Sequence, residues 1–366
     1  MYVKKVFLQN FRNYTTQSVE LGSALNVFSG RNAVGKTNFL EAIYTLGIGK
    51  SPRTVKEREM VRFGANGALA KAEVSKKYTN HMIEIYIDKK YKKRVAIDKL
   101  PLKKLGELMG TLGVVYFSPD ELGLVKNAPS ERRRFLDIAI SQQSKAYFYT
   151  LGKYNKSILA RNKLLKEGGQ SLQKTLDVWD EQVASLGATI VIARRKFVSK
   201  LSIIASQVHK NVSLGEKLCL SYECSAIGES GDEIKQDILK KLAENRERDI
   251  ILGFTSIGPH RDDIGISVND LDVKKYGSQG QQRTVALSLK LSELELFKEE
   301  MGEYPVLLLD DVLSELDKAR RERLLIEANK VQTILTCTHF EQALPDSAFH
   351  FVVKEGETEN KIERIK

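Results

Sequence analysis

Hydrophobic residues follow two different rhythms along this chain of 366 residues. Within 1–119 and again within 249–366 they form short runs or alternate with polar residues, which is the pattern of β-strands set between helices. Within 120–248 they recur at every third or fourth position, as they do along one face of a helix. This order predicts an α/β domain split between 1–119 and 249–366, with a short helical arm inserted at 120–248.

The individual elements follow from the same pattern. Strands are predicted at 3–8, 24–28, 68–74, 82–88, 92–97, 113–117, 218–224, 264–268, 306–309, 333–336 and 349–354, and helices at 36–45, 132–151, 154–167, 176–204 and 281–299. Lys89-Lys90-Tyr91 indicates a hairpin turn, so the N-terminal strands form an antiparallel meander. Gly168-Gly169 is predicted to end a helix, and the strand at 218–224 is predicted to stand alone. Trp179 lies in the stripe of the long helix, which favours core packing over base stacking.

The segment Gly30-Arg31-Asn32-Ala33-Val34-Gly35-Lys36-Thr37 matches the phosphate-loop pattern G-x-x-x-x-G-K-[ST]. It follows a predicted strand and opens a predicted helix, as this motif requires. The two pattern glycines let several backbone N–H groups and a helix N-terminus point at one phosphate. Lys36 is then expected to reach the β- and γ-phosphates, and the Thr37 hydroxyl to ligate Mg²⁺. The segment predicts nucleotide binding.

Two carboxylates follow the apolar strand at 306–309 and extend this prediction. In phosphate-loop proteins the end of such a strand holds the second Mg²⁺-coordinating residue, which assigns Asp310 to the metal. Asp311 is expected to polarise the attacking water as general base. His339 ends a further strand and is a candidate sensor of the γ-phosphate.

A second glycine-containing run, Ser278-Gln279-Gly280-Gln281, stands directly before the helix at 281–299. The serine hydroxyl and the backbone N–H groups of such a run form an anion site at a helix N-terminus. One nucleotide cannot be wrapped by both glycine loops of one ordinary subunit. The pattern therefore predicts a homodimer in which each subunit completes the other's site.

Charge adds a third kind of partner. The formal net charge is +11, which favours a polyanion such as nucleic acid or an anionic surface, although a solvated lysine-rich surface explains it equally well. Three cysteines without metal-like spacing favour a reducing compartment. No apolar run reaches the length of a membrane span and no signal peptide is apparent, so we expect a cytoplasmic protein without membrane contact.

The order of these motifs resembles the ABC-type ATPase heads, and the more specific strings resemble the RecF family of bacterial recombination mediators and DNA-repair proteins. The likeness runs nearly end to end. It is strongest in Phe11-Arg12-Asn13-Tyr14, Gly35-Lys36-Thr37-Asn38, Pro129-Ser130-Glu131-Arg132-Arg133, Arg161-Asn162-Lys163-Leu164-Leu165, Gly258-Pro259-His260-Arg261-Asp262-Asp263 and Gly277 to Arg283.

The resemblance implies an ABC-type head with a short helical arm, which dimerises with ATP, binds DNA and hydrolyses ATP slowly. It implies work with RecR and RecO at single-strand gaps and at junctions of single and double strand, where RecA is loaded. By position it assigns Arg12, the loop from Gly30 to Thr37 and Asn38 to ATP, and Thr37 and Asp310 to Mg²⁺. Asp311 becomes the base and His339 the switch. The run Ser278 to Gln281 is assigned to the γ-phosphate of the partner subunit.

Three features qualify the likeness. Ala33 and Asn127 stand where glycine is expected, and Asp311 stands where many such ATPases carry glutamate, which fits slow hydrolysis.

Three other classes of nucleotide-binding protein fit the sequence less well. Transporter ATPases place the signature closer to the phosphate loop, and coiled-coil ATPases have much longer inserts. A GTPase is disfavoured because Leu165 replaces the aspartate of a guanine-reading string. A module that holds ATP without turnover stays open. The role of the basic clusters at 89–94, 132–134 and 153–166 also stays open, because each is suited either to binding DNA phosphates or to facing solvent.

Overall fold

The computed structural model describes residues 1–168, 172–213, 215–340, 344–356 and 361–366, and only the backbone of residues 122 and 172–174. The strands described are β1 (Tyr2–Phe11), β2 (Tyr14–Glu20), β3 (Leu25–Ser29), β4 (Gly67–Ser75), β5 (Asn80–Asp88), β6 (Arg94–Ile97), β7 (Leu100–Pro101), β8 (Val114–Phe117), β9 (Leu218–Glu223), β10 (Asp263–Val268), β11 (Leu271–Asp272), β12 (Val306–Asp310), β13 (Thr333–Cys337), β14 (Phe349–Lys354) and β15 (Lys361–Arg364).

The helices described are α1 (Lys36–Ile48), α2 (Pro129–Gln143), α3 (Lys145–Glu167), α4 (Leu172–Val212), α5 (Gly231–Glu244), α6 (Arg246–Leu252), α7 (Val273–Tyr276), α8 (Gln279–Met301) and α9 (Lys318–Ala328). Short 3₁₀ helices lie at Glu57–Met60, Leu105–Glu107, Pro119–Leu124 and Val312–Glu315. The helix-start signal at Ser118-Pro119 thus opens a 3₁₀ turn, and α2 begins ten residues later, again at a proline.

The chain divides into two compact units, residues 1–123 with 283–366 and residues 124–282. The first unit contains a sheet in the order β2-β1-β4-β5-β6-β7, in which all neighbours are antiparallel. This sheet is the predicted meander, with the hairpin turn at Lys89-Lys90-Tyr91. Its outer strand β2 was missed by the sequence prediction because its side chains are mostly polar.

The second sheet of this unit has the order β15-β14-β3-β13-β12-β8. The central pairs β14–β3, β3–β13, β13–β12 and β12–β8 are parallel, and β12 and β13 are buried throughout. Since parallel strands end at one edge of a sheet, the segments that follow β3, β12 and β13 meet there. These segments contain the phosphate loop, Asp311 and His339.

The second unit consists of α2 to α7 and the antiparallel sheet β11-β10-β9. The prediction of an isolated strand at 218–224 was wrong, because β9 pairs with β10 along its whole length. This pairing also places 249–282 in the same unit as the helices, whereas the sequence prediction ended the arm at 248. A single helix at 132–151 was likewise wrong: Ser144 is extended and accepts a hydrogen bond from the Tyr147 N–H, which starts α3.

The long helix α4 has the predicted hydrophobic stripe. Leu176, Val183, Ile190 and Leu201 are fully buried, and each such side chain stabilises the fold by roughly 1.5–3 kcal/mol. Trp179 is half-buried in the same stripe. Gly168 follows α3 directly, and its predicted partner in the helix stop, Gly169, lies outside the described residues.

Candidate nucleotide site

The loop between β3 and α1 has the conformation that its glycines permit. Gly30 and Gly35 have φ values of 152° and 106°, and a Cβ on Gly35 would lie 2.4 Å from the amide nitrogen of Asn13. Ala33 also has a left-handed φ, 67°, which costs an L-residue roughly 1–2 kcal/mol and explains why glycine is expected there. Arg31, Asn32 and Ala33 are exposed at the crest of the loop, and Val34 is buried beneath it.

The turn between β1 and β2 holds this loop from behind. The Asn13 side-chain amide donates to the Val34 carbonyl at 3.1 Å, and the buried Tyr14 hydroxyl donates to the Gly35 carbonyl at 3.0 Å. Asn38 in turn donates to the Asn13 side chain at 2.9 Å. Asn13 and Tyr14 thus hold the backbone of the phosphate loop in place, a role that the sequence analysis did not predict.

Arg12 lies beside α1 and is paired with a buried carboxylate. Its Nε and Nη2 donate to the two oxygens of Glu41 at 2.7 and 2.6 Å, and its Nη1 donates to the Glu59 carbonyl at 2.7 Å. The Ser51 hydroxyl donates to the same carboxylate at 2.5 Å. A bidentate pair of this kind fixes the guanidinium plane. Any contact of Arg12 with a nucleotide would be made from this position.

Lys36 lies under the loop. Its ammonium donates to the Gly30 carbonyl at 2.7 Å and to the Arg31 carbonyl at 2.8 Å. Burial lowers the pKa of this ammonium, while the neighbouring Asp311 carboxylate acts in the opposite direction. The loop therefore encloses the ammonium of Lys36. The ammonium lies close enough to Asp310 and Asp311 for their charges to oppose this lowering of its pKa.

Asp310 is buried at the end of β12 and accepts three hydrogen bonds from hydroxyl groups. Its Oδ1 accepts from Thr37 at 2.8 Å and from Thr336 at 2.9 Å, and its Oδ2 accepts from Tyr116 at 2.8 Å. The hydroxyls carry no formal charge, so they orient the carboxylate without neutralising it. A threonine hydroxyl and a carboxylate 2.8 Å apart are the hard oxygen donors that Mg²⁺ prefers.

Asp311 follows with a left-handed backbone, φ 53°. Its N–H donates to the Thr336 hydroxyl at 3.0 Å and to the Thr336 carbonyl at 3.2 Å. Burial raises the pKa of the Asp311 carboxyl, and the Lys36 charge acts to lower it. The interaction between the two charges shows that the Asp311 carboxylate lies near the Lys36 ammonium of the phosphate loop.

His339 is exposed beyond the end of β13. The preceding residue connects it to the loop, since the Gly30 N–H donates to the Thr338 carbonyl at 3.3 Å. The structure thus brings Gly30 to Thr37, Asp310, Asp311 and His339 to one edge of one sheet.

The run Ser278 to Gln281 belongs to the second unit and forms a capping box at the start of α8. The Gln281 N–H donates to the Ser278 hydroxyl at 3.2 Å, and the Ser278 N–H donates to the Gln281 side chain at 3.0 Å. The Gln281 amide also donates to Glu216 at 2.8 Å. Ser278 and Gln279 are exposed. The predicted anion site is therefore a capped, solvent-facing helix N-terminus.

Two residues of this site escaped the sequence prediction. Thr336 and Tyr116 both donate to Asp310, yet they come from strands far apart in the chain. Thr336 was detectable as the residue that ends a strand beside Asp310 in a parallel sheet. Tyr116 gave no signal, because an aromatic residue in a buried strand reads as core.

The basic clusters separate by burial. Arg132 is buried and pairs with Asp263 through Nε at 2.6 Å and Nη2 at 2.9 Å, so it is structural. Arg161 is fully buried among carboxylates. Lys89 and Lys90 are exposed on their turn, and Lys163 is exposed on α3. Only the exposed clusters are available to an outside anion.

Two kinds of feature are absent from the described residues. No group of three or more histidine, cysteine, aspartate or glutamate side chains there is arranged to hold a metal ion. Among the described helices, none is long and apolar enough to cross a lipid bilayer.

Comparison with known proteins gives the family. The model of the RecF/RecN/SMC N-terminal domain matches residues 2–359. The DNA replication and repair protein RecF of Clostridium tetani is 43% identical, covering 98% of this chain and 99% of the relative. That of Halothermothrix orenii is 47% identical over 93% of each chain.

Solved structures agree with this result. A structure described as the recombination mediator protein RecF with ATP, in the RecFOR pathway, superposes with a TM-score of 0.91 at 36% identity, covering 100% of this chain and 98% of the other. An SMC head domain from Thermotoga maritima has a TM-score of 0.52 at 13% identity and shows the fold alone. The predicted ABC-type head is confirmed, and the chain belongs to the RecF family.

Proposed function

We propose that this protein is an ATP-dependent DNA-binding protein of recombinational repair. Its ATP-bound dimer clamps DNA at single-strand gaps or at junctions of single and double strand, and with RecR and RecO it promotes RecA loading. The observation that supports this best is the hydroxyl of Thr37 held 2.8 Å from the Asp310 carboxylate, beside the Lys36 ammonium. The names of the relatives supply the pathway.

ATP would lie on the loop from Gly30 to Thr37. The ammonium of Lys36 exchanges its two loop carbonyls for phosphate oxygens, and the N–H groups at the start of α1 face the same anion. Thr37 and Asp310 would hold Mg²⁺, which neutralises phosphate charge when bound. Arg12 and Asn38, behind the loop, complete the assigned set.

Hydrolysis requires a base next to the γ-phosphate. Asp311 takes a proton from water as the water oxygen bonds to phosphorus and the bond to the ADP oxygen breaks. Its carboxylate must be ionised for this role. Burial opposes ionisation and Lys36 favours it, so activity falls as the pH drops through the pKa of Asp311. His339 contacts the γ-phosphate as a switch, and the turnover is slow and depends on DNA.

The dimer uses the exposed helix start at Ser278. The run from Ser278 to Gln281 donates to the γ-phosphate of the partner subunit, so ATP joins two chains and its hydrolysis releases them. A cytoplasmic protein of this kind needs no membrane contact. In this proposal the functional head is 1–119 with 249–366 and the arm lies between them, a division that differs from the two compact units of the fold at 249–282.

The first experiment measures particle mass by light scattering with Mg-ATP, with Mg-ADP and without nucleotide. A dimer is expected with ATP alone. Ser278→Arg places a bulky cation at the contact, and Ser278→Asp repels phosphate while remaining a good helix cap. Both variants should stay monomeric with Mg-ATP. Ser278→Asp should keep the melting temperature of the unmodified protein, whereas Ser278→Arg also loses the helix cap and should melt slightly lower. A monomer of the unmodified protein under every condition would remove the clamp and leave ATP binding.

A second measurement separates an ATPase from a module that only holds ATP. Asp311→Asn keeps the shape of the side chain and removes the base, so phosphate release should fall by about 100-fold or more while ATP binding persists. Unchanged phosphate release would discard the role of Asp311. Binding to a gapped duplex with Mg-ATP is tested with the same variants.

A further inference from the structure

Two of the exposed aromatic side chains of the first unit lie on neighbouring turns. The side chain of Phe63 is 98% exposed, and that of Tyr91 is 76% exposed. Single exposed apolar residues are common on protein surfaces. Two exposed aromatic rings on neighbouring turns among lysines form a more specific feature.

The two turns are fixed side by side at one end of the antiparallel sheet. β4 and β5 pair at that end through Gly67 and Asp88, and the Lys89 N–H donates to the Asn66 carbonyl at 3.1 Å. The Asp88 carboxylate accepts from the N–H groups of Lys90 at 2.8 Å and Tyr91 at 3.2 Å, which shapes the second turn. The ring of Tyr91 therefore starts from a defined backbone.

The charge around these rings is positive. Lys89, Lys90 and Lys92 are exposed beside Tyr91. Of the nearby acids, Glu57 pairs with Lys93, and Asp88 accepts from the turn backbone and keeps a single negative charge. Three lysine charges thus face solvent beside two rings, and we call Phe63, Lys89, Lys90, Tyr91 and Lys92 the aromatic edge.

We infer that the aromatic edge binds single-stranded nucleic acid, with its rings stacking on unpaired bases and its lysines contacting the adjoining phosphates. Every base has a face that can stack, so such a surface is tolerant of sequence. A duplex offers phosphates but hides its base faces, and an acidic protein offers charge without rings to stack. The inference rests on the proposed function and adds which part of gapped DNA this surface takes, the unpaired strand.

The test uses a fluorescein-labelled oligonucleotide of twenty thymidines and a blunt duplex of equal length. Phe63→Ala and Tyr91→Ala should each weaken binding of the single strand by at least about fivefold and leave the blunt duplex unchanged. Tyr78→Ala is the matched control, because Tyr78 is 85% exposed beside Lys77 in the turn at the opposite end of β4 and β5. It should change neither affinity.

A second variant reports the contact directly. Phe63→Trp keeps a stacking ring and adds a fluorophore, whose emission the oligonucleotide should quench, whereas Tyr78→Trp should show no quenching beyond that of Trp179, the one native tryptophan. Replacing Lys89, Lys90 and Lys92 by glutamine should lower the slope of log affinity against log salt by about 2.

The outcomes distinguish this inference from the proposed clamp. The aromatic edge lies within one unit of one chain, so single-strand binding needs no ATP-driven dimer. Gapped-duplex binding that is unaffected by Phe63→Ala and Tyr91→Ala overturns the inference and leaves the clamp standing. Quenched single-strand binding by a protein that never dimerises supports the inference and removes the clamp. No binding of any DNA overturns both.

Discussion

Two buried sites, one in each unit, hold their carboxylates in opposite ways. In the first, Asp310 accepts hydrogen bonds from the hydroxyls of Thr37, Tyr116 and Thr336, none of which is charged. In the second, Asp180 and Asp249 both accept from the guanidinium of the fully buried Arg161, at 2.6 and 2.7 Å. One carboxylate is oriented, and the other two are neutralised.

This difference distinguishes a carboxylate that can bind a ligand from carboxylates that only support the fold. A buried acid paired with arginine has its charge compensated inside the fold, and it can add stability or shape but attracts no further cation. An acid held by hydroxyls keeps its negative charge, which in the proposed function would serve the Mg²⁺ that binds with ATP. The motifs of both units look equally specific in the sequence. The burial of their side chains and the hydrogen-bond partners of those side chains show which motif belongs to a site and which to the fold.

Removing the cation of the second unit should have the largest effect. Arg161→Ala leaves Asp249 buried without its arginine and Asp180 with Arg246 alone, which should lower the free energy of unfolding by about 3–5 kcal/mol. Urea unfolding followed by Trp179 fluorescence reports on this unit, since Trp179 lies next to Asp180. Lys163→Ala, at a side chain 74% exposed on the same helix, should cost less than about 0.5 kcal/mol. Equal costs for the two would refute the contrast.

The second prediction concerns the pH dependence of stability and rests on His260, an uncharged histidine of the second unit. Its Nε2 lies 3.0 Å from the Thr255 carbonyl, an acceptor, so Nε2 bears the proton and Nδ1 accepts from the Tyr154 hydroxyl at 2.7 Å. Burial lowers the pKa of His260 to about 4. The unfolded chain takes up a proton near pH 6.5 that the folded chain refuses, so stability falls as the pH drops from about 6.5 to 4.

The expected loss over this range is about 3 kcal/mol for this one group. His260→Gln retains a donor toward Thr255 but cannot titrate, so the difference between the two urea curves isolates the histidine from Asp262, whose pKa burial raises. Parallel stability profiles for the two proteins would show that His260 becomes charged within the fold.

Replacing the carboxylate of the first unit should have the smallest effect on folding. Asp310→Asn still accepts from Thr37 and Thr336, and the Tyr116 hydroxyl can accept from the new amide, so the free energy of unfolding should change by less than about 1 kcal/mol. The same variant should lose the added stability that Mg-ATP gives the unmodified protein, measured as the shift in melting temperature. A loss of stability as large as that of Arg161→Ala would place Asp310 among the scaffold residues.

The sequence predicted the first unit better than the second, for a physical reason. Strands of the parallel sheet are short apolar runs, and the phosphate loop is one continuous string, so local pattern identifies both. β9 and β10 are separated by two helices, and their pairing depends on a contact that no local pattern records. The compact unit that contains the arm helices therefore continues to residue 282, and β9 was predicted without its partner.

The aromatic edge is a second case in which local sequence pattern was not enough. The lysines of the hairpin were visible as a cluster, but no local pattern marked Phe63, which lies 26 positions before Lys89. Burial alone shows that its ring faces solvent, and the hydrogen bond from Lys89 to Asn66 shows that the two turns adjoin.

By itself the sequence determined the phosphate loop, the acids that end β12, the family and the hydrophobic stripe of the long helix, because each depends on residues that are close along the chain. Only the tertiary structure decided which arginines are internal, that Tyr116 and Thr336 hold Asp310, and that β9 pairs with β10. Those facts depend on distances between strands and on burial, and both are set when separate segments compete for the same core and the same hydrogen-bond partners.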